Sequence, residues 1–327
     1  KVMFITTAND KDAIPRPLLD RMEVIELSGY LETEKVEIAK RHLIPKQLEK
    51  HGLKKCQLTI ADEAIVELIR GYEAGVRELE RETAAVCRKA AMGIGSGKTR
   101  VRVGKQKLAA YLGAPKYTHG AIDAINEIGL ANGLAWTSFG GETLQIEVQI
   151  VPGSGQVILT GKLGDVMQES AKAALTFIKA HAEEFGITLP LDKKDIHLHV
   201  PEGAVPKDGP SAGITIMTAM LSALSGIPAR ADTAMTGEIT LRGRVLEIGG
   251  LREKLLAAYR AGIKRVLIPR ANEKDLSDVP DEVKANMEII GVASAFDVIP
   301  LALEHRPQKA ANAFIPQHAH TGAAAAQ

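Results

Sequence analysis

The string Pro206-Lys207-Asp208-Gly209-Pro210-Ser211-Ala212-Gly213 joins a β-rich segment, Ile196–Val200, to a long apolar one, Ser211–Leu224. This order puts Ser211 at the first turn of a helix. Unpaired backbone N–H groups and the positive end of the helix dipole gather there and favour developing negative charge. An acyl-transfer enzyme needs that arrangement for its oxyanion. Serine is also a preferred helix N-cap, so the position alone leaves both roles open. Lys254 lies in Leu251-Arg252-Glu253-Lys254-Leu255-Leu256-Ala257-Ala258, whose apolar neighbours can bury its stem. A lysine acts as a base near neutral pH only when desolvation lowers its pKa from about 10.4 toward 7–8. Otherwise it is a solvated helix lysine. Thr236, in Thr236-Gly237-Glu238, is placed to orient such an amine. The chemistry these residues offer is attack by a serine hydroxyl with a lysine as general base.

Other patterns compete. Gly209-x-Ser211-x-Gly213 has the spacing of a nucleophile elbow, but that arrangement needs an acid and then a histidine after the serine. The later histidines are His305, His318 and His320, at or beyond the last expected helix. His197 and His199 share one face of a strand, as a metal pair would, without a third ligand at suitable spacing; a structural role is favoured, and no metal site is expected. Gly93-Ile94-Gly95-Ser96-Gly97-Lys98-Thr99 has three residues between its outer glycines where a phosphate loop has four, and it lies between a helix and a strand in the wrong order.

The elements that position these groups follow from pattern. The chain has 327 residues, enough for two domains, a formal net charge of +1, 45% hydrophobic and 25% charged residues. Neither nucleic acid nor an acidic partner is implied by that balance. With 4% aromatics, stacking platforms for single strands are not expected. Cys56 and Cys87 cannot make a disulfide framework or a four-sulfur zinc site, which points to a reducing, cytoplasmic compartment. No run approaches the ~20 apolar residues that cross a membrane. Val2–Thr7 and Met22–Leu27 read as strands, Glu32–Ala91 as helical, with Val36, Ala39, Leu43 and Leu48 at helical spacing, and Met92–Gly97 as a glycine-rich break. Leu144–Ile150 alternates with period two, and Pro152–Gly155 reads as the turn of a hairpin to Val157–Leu159. Helices with Met167, Ala171, Ala174 and Ile178 on one face, at Ser211–Leu224, Leu251–Ala261 and near Phe296–Glu304 alternate with strands Ile196–Val200, Val266–Ile268 and Glu288–Val292 and others near Thr233 and Val245. The small, polar end of the chain reads as disordered.

Three strings together, Pro206 to Gly213, Thr236-Gly237-Glu238-Ile239-Thr240-Leu241-Arg242-Gly243 and Gly249-Gly250-Leu251-Arg252-Glu253-Lys254, closely resemble the protease domain of Lon, the ATP-dependent AAA+ protease family. The resemblance covers nearly the whole chain. It implies a Ser211–Lys254 catalytic dyad, supported by Thr236, Glu238 and the loop aspartate Asp208. In the first part of the chain it implies Asn9 as a sensor-1 asparagine, Arg21 as an arginine finger and Arg77 as a sensor-2 arginine, all reading the γ-phosphate of ATP. Arginine suits that task, being always charged and able to bind phosphate with a two-pronged fork.

The fold implied is multidomain. Residues 1–28 are expected to be a remnant of a nucleotide-binding α/β subdomain, 29–112 an all-α helical AAA+ subdomain, 118–305 an α+β protease domain of the ribosomal S5 domain 2-like type, and 306–327 a tail. ATP and Mg²⁺ are implied for a longer parent protein, because the phosphate loop and the acidic Mg²⁺ strand would precede Lys1; the peptide-bond chemistry itself requires neither. Unfolded proteins as substrates, a homo-hexamer and DNA affinity of the parent come from the same resemblance. The family has about two more residues between Tyr72 and Glu73, next to Arg77. Two other readings remain at this stage: a catalytically idle oligomerisation or substrate-holding module, and an α/β-hydrolase-type esterase using His305.

Overall fold

A computed structural model describes residues 2–8, 14–25, 29–72, 75–116, 125–137, 140–201 and 207–309. The first part is helical. α1 (Arg16–Leu19) is one turn; α2 (Glu32–Ile38) runs through a π turn at Ala39–Leu43 into α3 (Ile44–Lys50). β1 (Leu58–Ile60), α4 (Asp62–Tyr72), α5 (Val76–Gly95), β2 (Val101–Val103) and α6 (Leu108–Leu112) follow, with β1 and β2 paired in parallel. Ala39, Leu43 and Leu48, chosen by helical spacing, are buried with Leu68, Leu79 and Val86 in one apolar cluster.

The second part holds β3 (Leu130–Thr137), β4 (Gly140–Pro152), β5 (Val157–Thr160), α7 (Asp165–Ala180), β6 (Lys194–His199), α8 (Gly213–Ser225), β7 (Thr233–Met235), β8 (Glu238–Ile239), β9 (Val245–Leu246), α9 (Leu251–Arg260), β10 (Arg265–Pro269), α10 (Asp281–Asn286), β11 (Glu288–Val292) and α11 (Ala295–Ala302). Seven strands form one mixed sheet in the order β11-β10-β7-β3-β4-β6-β5. Its β11-β10-β7-β3 half is parallel, so both faces need helical cover. The strands are written for that. Leu267 and Met235 point into the cluster with α7 and α8, while Val266, Ile268 and Ala234 point into the cluster with α9. α8 is apolar on every side and buried along nearly its whole length, which makes it the hub of the larger core.

Five expectations fail. The 29–112 part is not all-α, since the short runs Leu58–Ile60 and Val101–Val103 satisfy each other's backbone groups as a parallel strand pair. Val2–Thr7 is not a strand: Val2, Met3, Phe4 and Ile5 are exposed, and among the described residues no neighbouring strand takes up their backbone groups. Met22 to Ile25 is likewise irregular, and residues 26–28 lie outside the described residues. α5 continues through Met92, Gly93 and Gly95, because two glycines at the end of a long packed helix weaken it without breaking it. β4 and β5 are not a hairpin; β6 inserts between them, antiparallel to β4 and parallel to β5. Period-two alternation marks a half-buried strand without naming its neighbour. β3, at the centre of the sheet, was not anticipated, since Asn132 and Gly133 interrupt its apolar run. Tail residues 310–327, with His318 and His320, and the Tyr72–Glu73 junction's second residue lie outside the described residues. No helix among the described residues is long and apolar enough to cross a membrane.

Candidate active site

Lys254 is buried because of where it falls on α9. Leu251, Leu255 and Ala258, at spacings of three and four residues, make the apolar stripe that faces the sheet, and Lys254 lies within that stripe. The residue is 2% exposed. Burial alone pulls its pKa down from 10.5 to about 8, with no charged neighbour contributing.

The amine donates to Thr236 Oγ1 at 3.1 Å, and Thr236 Oγ1 donates to the Ser211 carbonyl at 3.2 Å. A hydroxyl has one hydrogen. Because Thr236 uses it on Ser211, it can only accept from Lys254, and the amine, when neutral, keeps its lone pair for another donor. Among the described residues no hydrogen bond joins Lys254 directly to the Ser211 hydroxyl. Thr236 sits at the end of β7, fully buried, with its own N–H bonded to Leu267 O at 3.1 Å.

Ser211 occupies a single 3₁₀ turn, Pro210–Ala212, that leads into α8. Gly237 holds this turn from both sides, its N–H on Ser211 O at 2.8 Å and its carbonyl on Ile214 N at 3.0 Å. Gly213 must lack a side chain, since a Cβ there would stand 2.7 Å from Ile239 N. The Ser211 amide finds no acceptor among the described residues, while that of Ala212 closes the 3₁₀ turn. The Ser211 N–H is thus a donor left over at a helix start, beside a half-buried hydroxyl.

The remaining candidates are placed less centrally. The Asp208 carboxylate accepts from Met167 N at 3.1 Å and Gly209 N at 2.8 Å, so it caps the first turn of α7 and ties the serine loop to it. Glu238 opens β8, two residues beyond Thr236, paired with Leu246 across to β9. Arg21 and Arg77 are exposed and make no ion pair among the described residues. Asn9 lies outside them. His197 Nε2 and His199 Nδ1 both meet Thr160 Oγ1, at 3.0 and 2.7 Å, a hydroxyl bridge between two rings. No group of three or more possible metal ligands occurs among the described residues. The Gly93–Thr99 segment ends α5, where carbonyls and not amides point outward, the wrong end of a helix for phosphate. Sequence reasoning missed Gly141. A Cβ on it would stand 1.9 Å from Glu253 O and 2.9 Å from Lys254 N. Its signal was the Gly140-Gly141 pair opening a strand, which marks a close backbone approach.

Residues 102–305 match the Lon protease (S16) C-terminal proteolytic domain, and residues 49–103 match the Lon protease AAA+ ATPase lid domain. The chain belongs to the Lon protease family. It is 57% identical over 309 residues to the Lon protease of Nitratidesulfovibrio vulgaris, covering 93% of this chain and 38% of that protein. Against Lon protease of Escherichia coli the identity is 55% over 311 residues, 94% of this chain and 40% of the relative. Lon protease of Bacillus thuringiensis is 55% identical over 309 residues, 93% and 38%. The chain thus spans about two fifths of the length of these relatives. It comprises a Lon lid followed by an α+β, Lon-type proteolytic domain of the serine-peptidase class.

Proposed function

We propose that this chain cleaves peptide bonds by a Ser211–Lys254 dyad. The observation that carries the reading is a lysine amine buried without a counter-charge and bonded, through Thr236, to the turn that holds Ser211. Neutral Lys254 takes the Ser211 proton as the oxygen attacks the peptide carbonyl. Helix N-terminal amides near Ser211 receive the oxyanion. Lys254 then protonates the leaving amine, and water, deprotonated by the same amine, releases the acyl-enzyme. Thr236 keeps the lone pair aimed, and Glu238 and Asp208 support the loops on either side.

In the longer parent this chemistry is coupled to ATP-driven unfolding of damaged proteins in a cytoplasmic homo-hexamer, with DNA as a further partner. Support for a phosphate-reading role comes from two exposed guanidinium groups, Arg21 and Arg77, without carboxylate partners among the described residues. These, with Asn9, would face the γ-phosphate, and ATP with Mg²⁺ would supply the free energy for translocation. An idle oligomerisation module has no use for an uncompensated buried amine. The esterase reading finds no support at His305, which lies beyond α11 near the end of the described residues.

The test is a serine-reactive probe with peptide mapping, run across pH. Labelling at Ser211 that rises tenfold per pH unit and levels above about 8, where Lys254 has lost its proton, is the expected result. Labelling at any other residue, or a plateau already reached by about pH 6, ends the dyad reading.

Thr236→Val should lower kcat by about ten- to a hundredfold with KM nearly unchanged, since it removes the group that orients the base and touches no substrate. Thr236→Ser, which keeps the hydroxyl, should recover most of the rate. Steady-state kinetics on a fluorogenic peptide decide this, and equal losses in both variants would count against the orienting role.

A further inference from the structure

A lysine stays uncharged only while water is kept from it, so some contact must seal Lys254. One wall of its surroundings is the junction of β4 with α9. Gly141 lies against the Glu253 carbonyl and the Lys254 amide so closely that a methyl group has no room, and a water molecule has none either. Just outside this contact is a cavity of about 660 Å³ between the lid and the proteolytic domain, lined by Gly140, Gly141, Glu253, Leu256 and Arg260 on one side and by Tyr30, Arg70 and Arg77, among others, on the other. The Gly141 contact therefore stands between an open cavity and the amine's own turn of helix.

The start of β4 is paired with β3, Gly140 with Thr137 and Gly141 with Trp136, but its two glycines offer no side chain as a tether to α9. Arg260, the last residue of α9, supplies one: its Nη2 donates to Gly141 O at 2.8 Å. The same helix thus touches Gly141 twice, with the Glu253 carbonyl in its first turn and a charge-assisted hydrogen bond from its end. We propose that Arg260 is a positioning residue for peptide cleavage, clamping Gly141 onto the first turn of α9 so that Lys254 stays sealed from the lid-side cavity and aligned with Thr236. The proposal rests on the dyad reading of Ser211 and Lys254.

The test is a comparison of Arg260→Gln and Arg260→Lys with the unaltered chain. In Arg260→Gln, kcat on a fluorogenic peptide should fall about ten- to a hundredfold, the scale of a small misplacement of a catalytic group, with KM little changed. Its pH–rate inflection should move up from about 8 toward the value of a solvated lysine. Arg260→Lys, which keeps a cationic donor, should recover most of the rate and return the inflection. A second measurement needs no activity: in a Ser211→Ala background, hydrogen exchange at the Lys254 amide, bonded to Gly250 O at 3.1 Å, should be faster with Arg260→Gln. An inflection and an exchange rate unmoved by Arg260→Gln, or a loss in Arg260→Lys as large as in Arg260→Gln, overturns the clamp. Probe labelling away from Ser211 in the unaltered chain sinks the dyad itself, so the two failures are told apart.

Discussion

Ser211→Ala and Lys254→Met should each lower peptide cleavage by at least about a thousandfold, yet move stability in different ways. Ser211 has a half-buried side chain, and among the described residues its hydroxyl makes no hydrogen bond, so alanine should leave the melting temperature within a degree or two. Lys254→Met should raise it. In the folded chain the amine titrates at about 8, and in the unfolded chain at its ordinary 10.5. Between those values the unfolded chain holds more protons, so stability rises with pH across that window. Below about pH 8 both states are protonated and the full penalty of a buried charge is present, on the order of 3 kcal/mol.

Methionine removes that penalty while keeping the stem's volume. It also strips Thr236 of a hydrogen-bond donor, which costs about 1 kcal/mol. The first effect wins, leaving a gain of about 1–2 kcal/mol at pH 7 that shrinks as pH rises toward 10.5. Calorimetric melts at pH 7 and near pH 10 measure both the gain and its decline. A Lys254→Met variant that cleaves peptides normally would refute the dyad, and one that melts lower at pH 7 would show that the amine is not held against a desolvation penalty.

The second large effect is expected at Gly141. In Gly141→Ala the new methyl would stand 1.9 Å from Glu253 O, 2.4 Å from Glu253 C and 2.9 Å from Lys254 N. All three are backbone atoms, so no side chain can swing aside. Either β4 leaves α9 or the first turn of α9 shifts, and each outcome displaces Lys254. A loss of about 2–4 kcal/mol in stability and about a hundredfold in kcat should follow. Gly140→Ala is the matched comparison: its Cβ would meet nothing within 4 Å, although φ of +126° makes alanine there strained. It should perturb the strand's entry without touching the lysine, so its kcat should fall much less than that of Gly141→Ala. Equal kcat losses in the two variants would remove the special place given to Gly141.

Much of this was written along the chain. The helix Leu251–Ala261 was legible because helix periodicity is local, and it offered Lys254 apolar neighbours able to bury its stem, but the same pattern also suits a solvated lysine. The strand-loop-helix order likewise put Ser211 at a helix start, and β7 and β10 were legible as strands near Thr233 and at Val266–Ile268. What local pattern cannot carry is partnership. Alternation in β4 and β5 was read as a hairpin, and only the folded sheet inserts β6 between them, since a strand's period is the same whatever lies beside it. The run Val2–Thr7 read as a strand and is irregular, with Val2 to Ile5 exposed, because a strand exists only through its neighbours.

The site divides in the same way. Residue type and local pattern named serine, lysine and threonine as candidates, but a pKa near 8 arises from the sum of everything packed around one amine, contributed by segments far apart in sequence. Whether Thr236 bridges Lys254 to Ser211, whether Asp208 caps α7, and whether Gly141 and Arg260 close over the lysine's turn were decided by tertiary structure alone. Distance between residues 141, 254 and 260 is a property of the packed sheet and helix, and one-dimensional pattern holds no record of it.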